Sequence, residues 1–215
     1  MLNRWNPLRF SPVAIALLLG AAWRLWLMPR DAGWEESDYG NLAMIQGVVS
    51  GGFVHYDMNH MPGYYALAAV VHAIVDDAVL AGRLVSLGGG LVALGLATSL
   101  ARCLGSVRAA WIAGLLLVIQ PEFALYSAST LREPLAAAFV MGVLFFLNKE
   151  RLGYAGVMAS FAFLVRFDYA LVLGPVLAIH ALGRAGRQRR LMFGLLPLML
   201  TVCLWSVYCW VDHGT

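Results

Sequence analysis

From Pro12 onward, long apolar runs alternate with short polar intervals, and runs of this length suit helices rather than strands. The runs cover about 12–28, 79–101, 109–126, 135–148, 152–166, 168–183 and 191–211. Each is read as a transmembrane helix, which gives an all-α bundle of seven spans. Several fall short of the roughly 20 residues a span needs, so tilt or local thinning of the bilayer is implied. One long polar interval, 29–78, interrupts the pattern. Within it Tyr39, Leu42, Ala43 and Val49 recur at helical spacing, predicting an interfacial helix from Glu35 to Ser50 that ends at Gly51-Gly52. A second apolar piece, Pro62 to Val75, opens on a proline and closes on Asp76-Asp77. It is too short to cross and is read as lying at the membrane surface.

Charge decides the topology. If Pro62–Val75 stays at the surface, Arg102, Arg108, Lys149, Arg151, Arg184, Arg187, Arg189 and Arg190 all fall on one side. Glu122, Glu133 and the acids of the first loop fall on the other. The positive-inside rule makes the basic side cytoplasmic, with the N-terminus in and the C-terminus out. The first run follows Arg4 and Arg9 and reads as an uncleaved signal anchor. Arg24, in its outer third, is expected to snorkel to the interface or to pair with an acid of the next loop. Gly88-Gly89-Gly90 and Gly95 favour close helix approach in the second span.

Composition agrees: 61% of residues are hydrophobic and 13% charged, the signature of an integral membrane protein. The 215 residues make one membrane domain, 1–215, with no separate soluble unit. Cys103, Cys203 and Cys209 have no metal-ligand spacing, and Cys203 and Cys209 point apart on one helix. No HExxH, Walker loop, GxSxG or CxxC is present, so hydrolase, ATPase and redox readings lack support.

The candidate chemistry gathers on the acidic side. Glu35 and Asp38 share a helix face with Glu36 beside them, and like charges at that spacing favour a general base. Acids in a first helical turn also suit the helix dipole without further purpose. Glu133 precedes Pro134 at the mouth of the fourth span, as a second-loop acid or as a local partner of Arg132. Arg166, between two short helices, has the planar fork that suits a phosphate, or else pairs with Asp168. Arg83 and His60 are further groups for an anion.

The order of these features resembles the GT-C membrane glycosyltransferases, particularly the dolichyl-phosphate-mannose-protein mannosyltransferase and aminoarabinose lipid A transferase branch. The resemblance rests on Arg24, the acids before Tyr39 with Ala43 and Gly47, and His60-Met61-Pro62-Gly63-Tyr64. It continues through Arg83, Pro121, Tyr126-Ser127, Glu133, Gly156 and Arg166. It implies a seven-helix module whose first external loop lies over a cavity for a polyprenyl-phosphate-linked sugar. The family's Asp-Glu pair falls on Glu35 and Glu36, with Glu in place of the first Asp and Asp38 as substitute base. Its Lys- or His-Pro-Pro element falls on His60-Met61-Pro62, its second-loop acid on Glu133, and an arginine near the lipid phosphate on Arg166.

The implied reaction is an inverting displacement at the sugar C1, with no cofactor beyond the lipid-linked donor. A divalent metal is not required by the mannosyltransferase type, although acids from two loops would suit one in the oligosaccharyltransferase type. The expected setting is the bacterial inner membrane, active face outward, with a protein, lipid or glycan acceptor and no nucleic acid. Relatives continue with further helices, so the chain is expected to be a truncated copy, a minimal enzyme or one half of a split enzyme. The competing class is a non-catalytic membrane subunit or lipid-binding scaffold. A small transporter fits less well, because the acids gather at one surface rather than at mid-membrane.

Overall fold

The computed structural model describes residues 11–29, 35–51, 61–182 and 187–213; the side chains of 35–39, 51, 187–191, 212 and 213 fall outside that description. All regular structure among the described residues is helical. In chain order the helices are α1 (Pro12–Leu27), α2 (Glu35–Gly51), α3 (Pro62–Val75), α4 (Ala78–Leu104) and α5 (Val107–Ile119). They continue as α6 (Pro121–Ala128), α7 (Glu133–Asn148), α8 (Leu152–Val165), α9 (Asp168–Leu182) and α10 (Arg187–His213).

The starts follow from residue chemistry. Pro12, Pro62, Pro121 and Pro134 sit in first turns, where a missing N–H costs nothing. Asp77 caps α4 by accepting from the backbone N–H of Val79 and Leu80 at 2.8 and 3.0 Å. Asp76, left-handed at φ 54°, makes the sharp reversal from α3 into α4.

Helix α4 is the centre of the bundle and packs against α1, α2, α3, α5, α6 and α7. Small residues let it do so. A Cβ on Gly89 would lie 2.6 Å from Leu135 Cα in α7, and one on Gly90 would strike the Ser127 side chain of α6. Close backbone approach of this kind is how apolar helices gain packing energy where lipid removes the hydrophobic drive. Gly88, by contrast, faces open space. On the far side of α7, helices α8, α9 and α10 share a core of Leu152, Phe163, Leu173, Leu177 and Leu198.

Two stretches, Ala78–Leu104 and Met192–Val211, are long and apolar enough to cross a membrane. The uninterrupted span expected over 109–126 is not found. Its residues form α5 and α6, bent by 62° at Gln120, so together they make a third candidate only if the bent pair counts as one span. The cause is Pro121: it offers no N–H to continue the helix and holds Gln120 extended, at φ −65° and ψ 114°. The Gln120 side chain then accepts from the Phe123 N–H and restarts the helix. Five further apolar helices, α1, α3, α7, α8 and α9, are shorter than 18 residues.

Arg24 also departs from expectation. It does not snorkel, and no acid among the described residues meets it; the side chains of Asp31, Glu35, Glu36 and Asp38 lie outside those residues. Its side chain is 0% exposed; Nη1 donates to the Gly20 carbonyl at 3.2 Å, and the guanidinium stacks over Phe123 at 5.0 Å. Nε and Nη2 have no hydrogen-bond partner. The room exists because positions 20 and 90 lack side chains: a Cβ on Gly20 would lie 3.2 Å from Nη1, and one on Gly90 3.6 Å from Nε. An enclosed charge without a counter-ion is costly, and apolar replacements of similar volume at such sites are neutral or stabilising by about 1–4 kcal/mol. Arg24→Met is therefore expected to melt at or above the parental temperature in the same detergent. A clear fall would show that the charge is neutralised in the folded protein.

Candidate functional site

The site is built on the loop between α6 and α7. Ser129 and Thr130 are buried there, and the loop is stitched to α4 by one hydroxyl. Ser86 Oγ donates to the Leu131 carbonyl at 2.6 Å and accepts from the Leu131 N–H at 3.1 Å. Tyr64, itself enclosed, lies 3.1 Å from that hydroxyl and donates to the Gly82 carbonyl at 3.0 Å. These bonds fix where α7 begins, and so where Arg132 and Glu133 stand.

Glu133 opens α7, and Arg166 caps the end of α8. The fold brings them together across 33 residues of sequence: Arg166 Nη1 donates to Glu133 Oε1 at 3.3 Å. On its other edge Arg166 is held by Asp168, Nε to Oδ1 at 3.2 Å and Nη2 to Oδ2 at 3.3 Å. Arg132 Nε lies 3.9 Å from Glu133 Oε1. Both local pairings foreseen from sequence thus exist, and the long-range Arg166–Glu133 contact joins them into one cluster.

Two properties of the cluster bear on chemistry. Partial burial works against the Arg166 charge, while bonding to Asp168 and the nearby charge of Glu133 support it. Each terminal nitrogen still keeps one N–H that no described residue takes up, because only one hydrogen on each is committed. A guanidinium with uncommitted N–H groups can donate to an oxyanion. Glu133 Oε2 is enclosed and without a hydrogen-bond partner, an acceptor awaiting a donor.

The neighbouring polar residues were not singled out from sequence. Asn41 on α2 is buried; its Nδ2 donates to the Thr130 carbonyl at 2.8 Å, and its Oδ1 accepts from the Tyr65 hydroxyl at 2.7 Å. Burial pushes the Tyr65 phenol up to about 12, with Arg132 opposing and Glu133 adding to the rise, so the hydroxyl keeps its proton at neutral pH. An amide at helical spacing from Met44, Ile45 and Val48, with a Tyr-Tyr pair following, was the available signal.

The other expected site residues fall as follows. Arg83 donates to the Met28 carbonyl at 2.8 Å, tying α4 to the end of α1. Glu35, Glu36 and Asp38 stand in the first two turns of α2, with side chains outside the described residues. His60 also lies outside them. Among the described residues no group of three or more His, Cys, Asp or Glu could hold a metal. Comparison with known proteins brings out no matching family model, no curated relative and no matching solved structure.

Proposed function

We propose that the chain is a membrane glycosyltransferase of GT-C type that moves a sugar from a polyprenyl-phosphate donor to an acceptor hydroxyl, with inversion at C1. The observation that carries this reading is the meeting of Glu133 and Arg166 across 33 residues of sequence, with one N–H on each terminal guanidinium nitrogen not taken up by any described residue. Arg166 takes the donor phosphate, with His60 as a second cationic group. Glu35 or Asp38 removes the proton of the acceptor hydroxyl, whose oxygen attacks C1. The C1–O bond breaks with its electron pair going to the phosphate, where the guanidinium stabilises the charge. Glu133 serves as the second-loop acid beside the phosphate.

The remaining apolar helices complete a bundle of seven tilted spans under this reading. The positive-inside rule puts the site on the non-cytoplasmic face of a cell membrane. A non-catalytic lipid-binding subunit would use the same phosphate site, whereas charge balance favours a clamp without a ligand. Arg132 and Arg166 are matched by Glu133 and Asp168, which suffices for a purely structural clamp.

The phosphate site is tested by Arg166→Lys and Arg166→Ala. Lysine replaces the fork by a point charge, so binding of a polyprenyl phosphate should weaken; alanine should weaken it further, by about 10–100-fold, as for a lost charge-assisted hydrogen bond. A clamp without a ligand predicts something else: both variants melt lower, while the folded fraction binds lipid as the parent does. Affinity and melting temperature measured on the same samples separate the two outcomes.

A further inference from the structure

We propose that Asn41 is a positioning residue: its amide locks the acid-bearing first turns of α2 to the loop that carries Arg132 and Glu133. The inference rests on the glycosyltransferase reading for its purpose, but not for its geometry. Thr130 O can only accept, so Nδ2 must face it at 2.8 Å, and Oδ1 is thereby turned to the Tyr65 hydroxyl at 2.7 Å. The Arg132 guanidinium acts on the same hydroxyl, working against the rise in its pKa. A continuous polar chain results, from Thr130 through Asn41, Tyr65 and Arg132 to Glu133, Arg166 and Asp168. It joins α2, α3, α7, α8 and α9.

Asn41 does a different job from the rest of α2. The second half of that helix is held by Ile45, 0% exposed, with Met44 and Val48 packed on the same core. Asp38 stands one turn before Asn41, and Glu35 two. Asn41 is buried and is bonded both to the Thr130 carbonyl and to the Tyr65 hydroxyl, so it ties this part of α2 to the loop before Glu133. Loss of the amide removes the Nδ2 donor from Thr130 O and the Oδ1 acceptor from the Tyr65 hydroxyl. Ile45 still docks the helix. The consequence is misplacement of the first turns, not unfolding.

The test uses the full chain in a background lacking its three cysteines. Spin labels at Gly40, beside the amide, and at Val79, on the exposed start of α4, report the position of the first half of α2. A second pair, Val49 with Val79, reports the other half. Parental protein should give one narrow distance for each pair. Asn41→Leu and Asn41→Asp, the latter turning an acceptor towards Thr130 O, should broaden or shift the Gly40 distance and leave the Val49 distance narrow. Tyr65→Phe should do the same on a smaller scale, and it serves if the Asn41 variants fail to fold. In sugar transfer, Asn41→Leu should lower kcat by about tenfold or more, the scale of a misplaced catalytic group, with polyprenyl-phosphate affinity unchanged. Adding Tyr65→Phe should cost little further, because the two residues act through one contact. An unchanged Gly40 distance in Asn41→Leu overturns the proposal, as does equal loss at both label pairs. If parental protein transfers no sugar, the glycosyltransferase reading fails, and the label distances still decide the positioning role.

Discussion

A single methyl added at Gly156 is expected to force α8 and α10 apart. The backbone of Gly194 lies directly against this position: an ideal Cβ would collide with its carbonyl oxygen and stand 3.0 Å from its carbonyl carbon. Neither atom can rotate away, unlike the tip of a side chain. Gly194 is hemmed in reciprocally, since its own Cβ would lie 2.6 Å from Leu152 Cδ2. Relief therefore means separating two helices along a shared core. Overpacking of this kind costs about 1–3 kcal/mol, and Gly156→Leu should exceed that range. Gly88→Ala is the matched control. Nothing lies within 4 Å of its Cβ, so the methyl should be tolerated and should add up to about 1 kcal/mol through helix propensity. Melting temperatures of the three variants in one detergent should rank Gly88→Ala at or above the parent, then Gly156→Ala, then Gly156→Leu. Equal melting of Gly156→Leu and parent would contradict the α8–α10 packing.

The second large effect falls on the first-loop carboxylates. The proposed displacement needs a base for the acceptor hydroxyl, and loss of a general base typically costs about 100-fold or more in rate. Glu35→Gln or Asp38→Asn should show that loss in transfer. Binding of the polyprenyl-phosphate donor should survive, because the carboxylate serves the acceptor while Arg166 serves the phosphate. Near-parental rates in both, and in Glu36→Gln, would remove α2 from the chemistry.

Much of the helical order was legible because local rules suffice for it. Apolar runs bounded by Pro62, Pro134 and Asp76-Asp77 gave α3 and the start of α7 to the residue or nearly so. Gly51 closes α2 as expected. The break at Gln120 was present in the sequence as a residue before proline, but the apolar run continues on both sides and hides it. Tertiary facts were not legible. Enclosure of Arg24 depends on glycines at 20 and 90 in two different helices. Each member of the Arg166–Glu133 pair had a nearer partner by sequence, Asp168 and Arg132, and only the packing of α7 against α8 adds the third contact. Asn41 escaped notice for a similar reason: both its partners, Tyr65 and Thr130, are remote in sequence.

The glycosyltransferase reading meets its most direct test in the transfer of a labelled sugar from a synthetic polyprenyl-phosphate donor by the purified chain. The predicted result is label released from the lipid phosphate and recovered on a hydroxyl acceptor, inverted at C1, with both transfer and donor binding weakened in Arg166→Ala. Donor bound tightly by the parent through Arg166, with no label transferred to protein, lipid or glycan acceptors, would contradict catalysis and leave a lipid-binding subunit in its place.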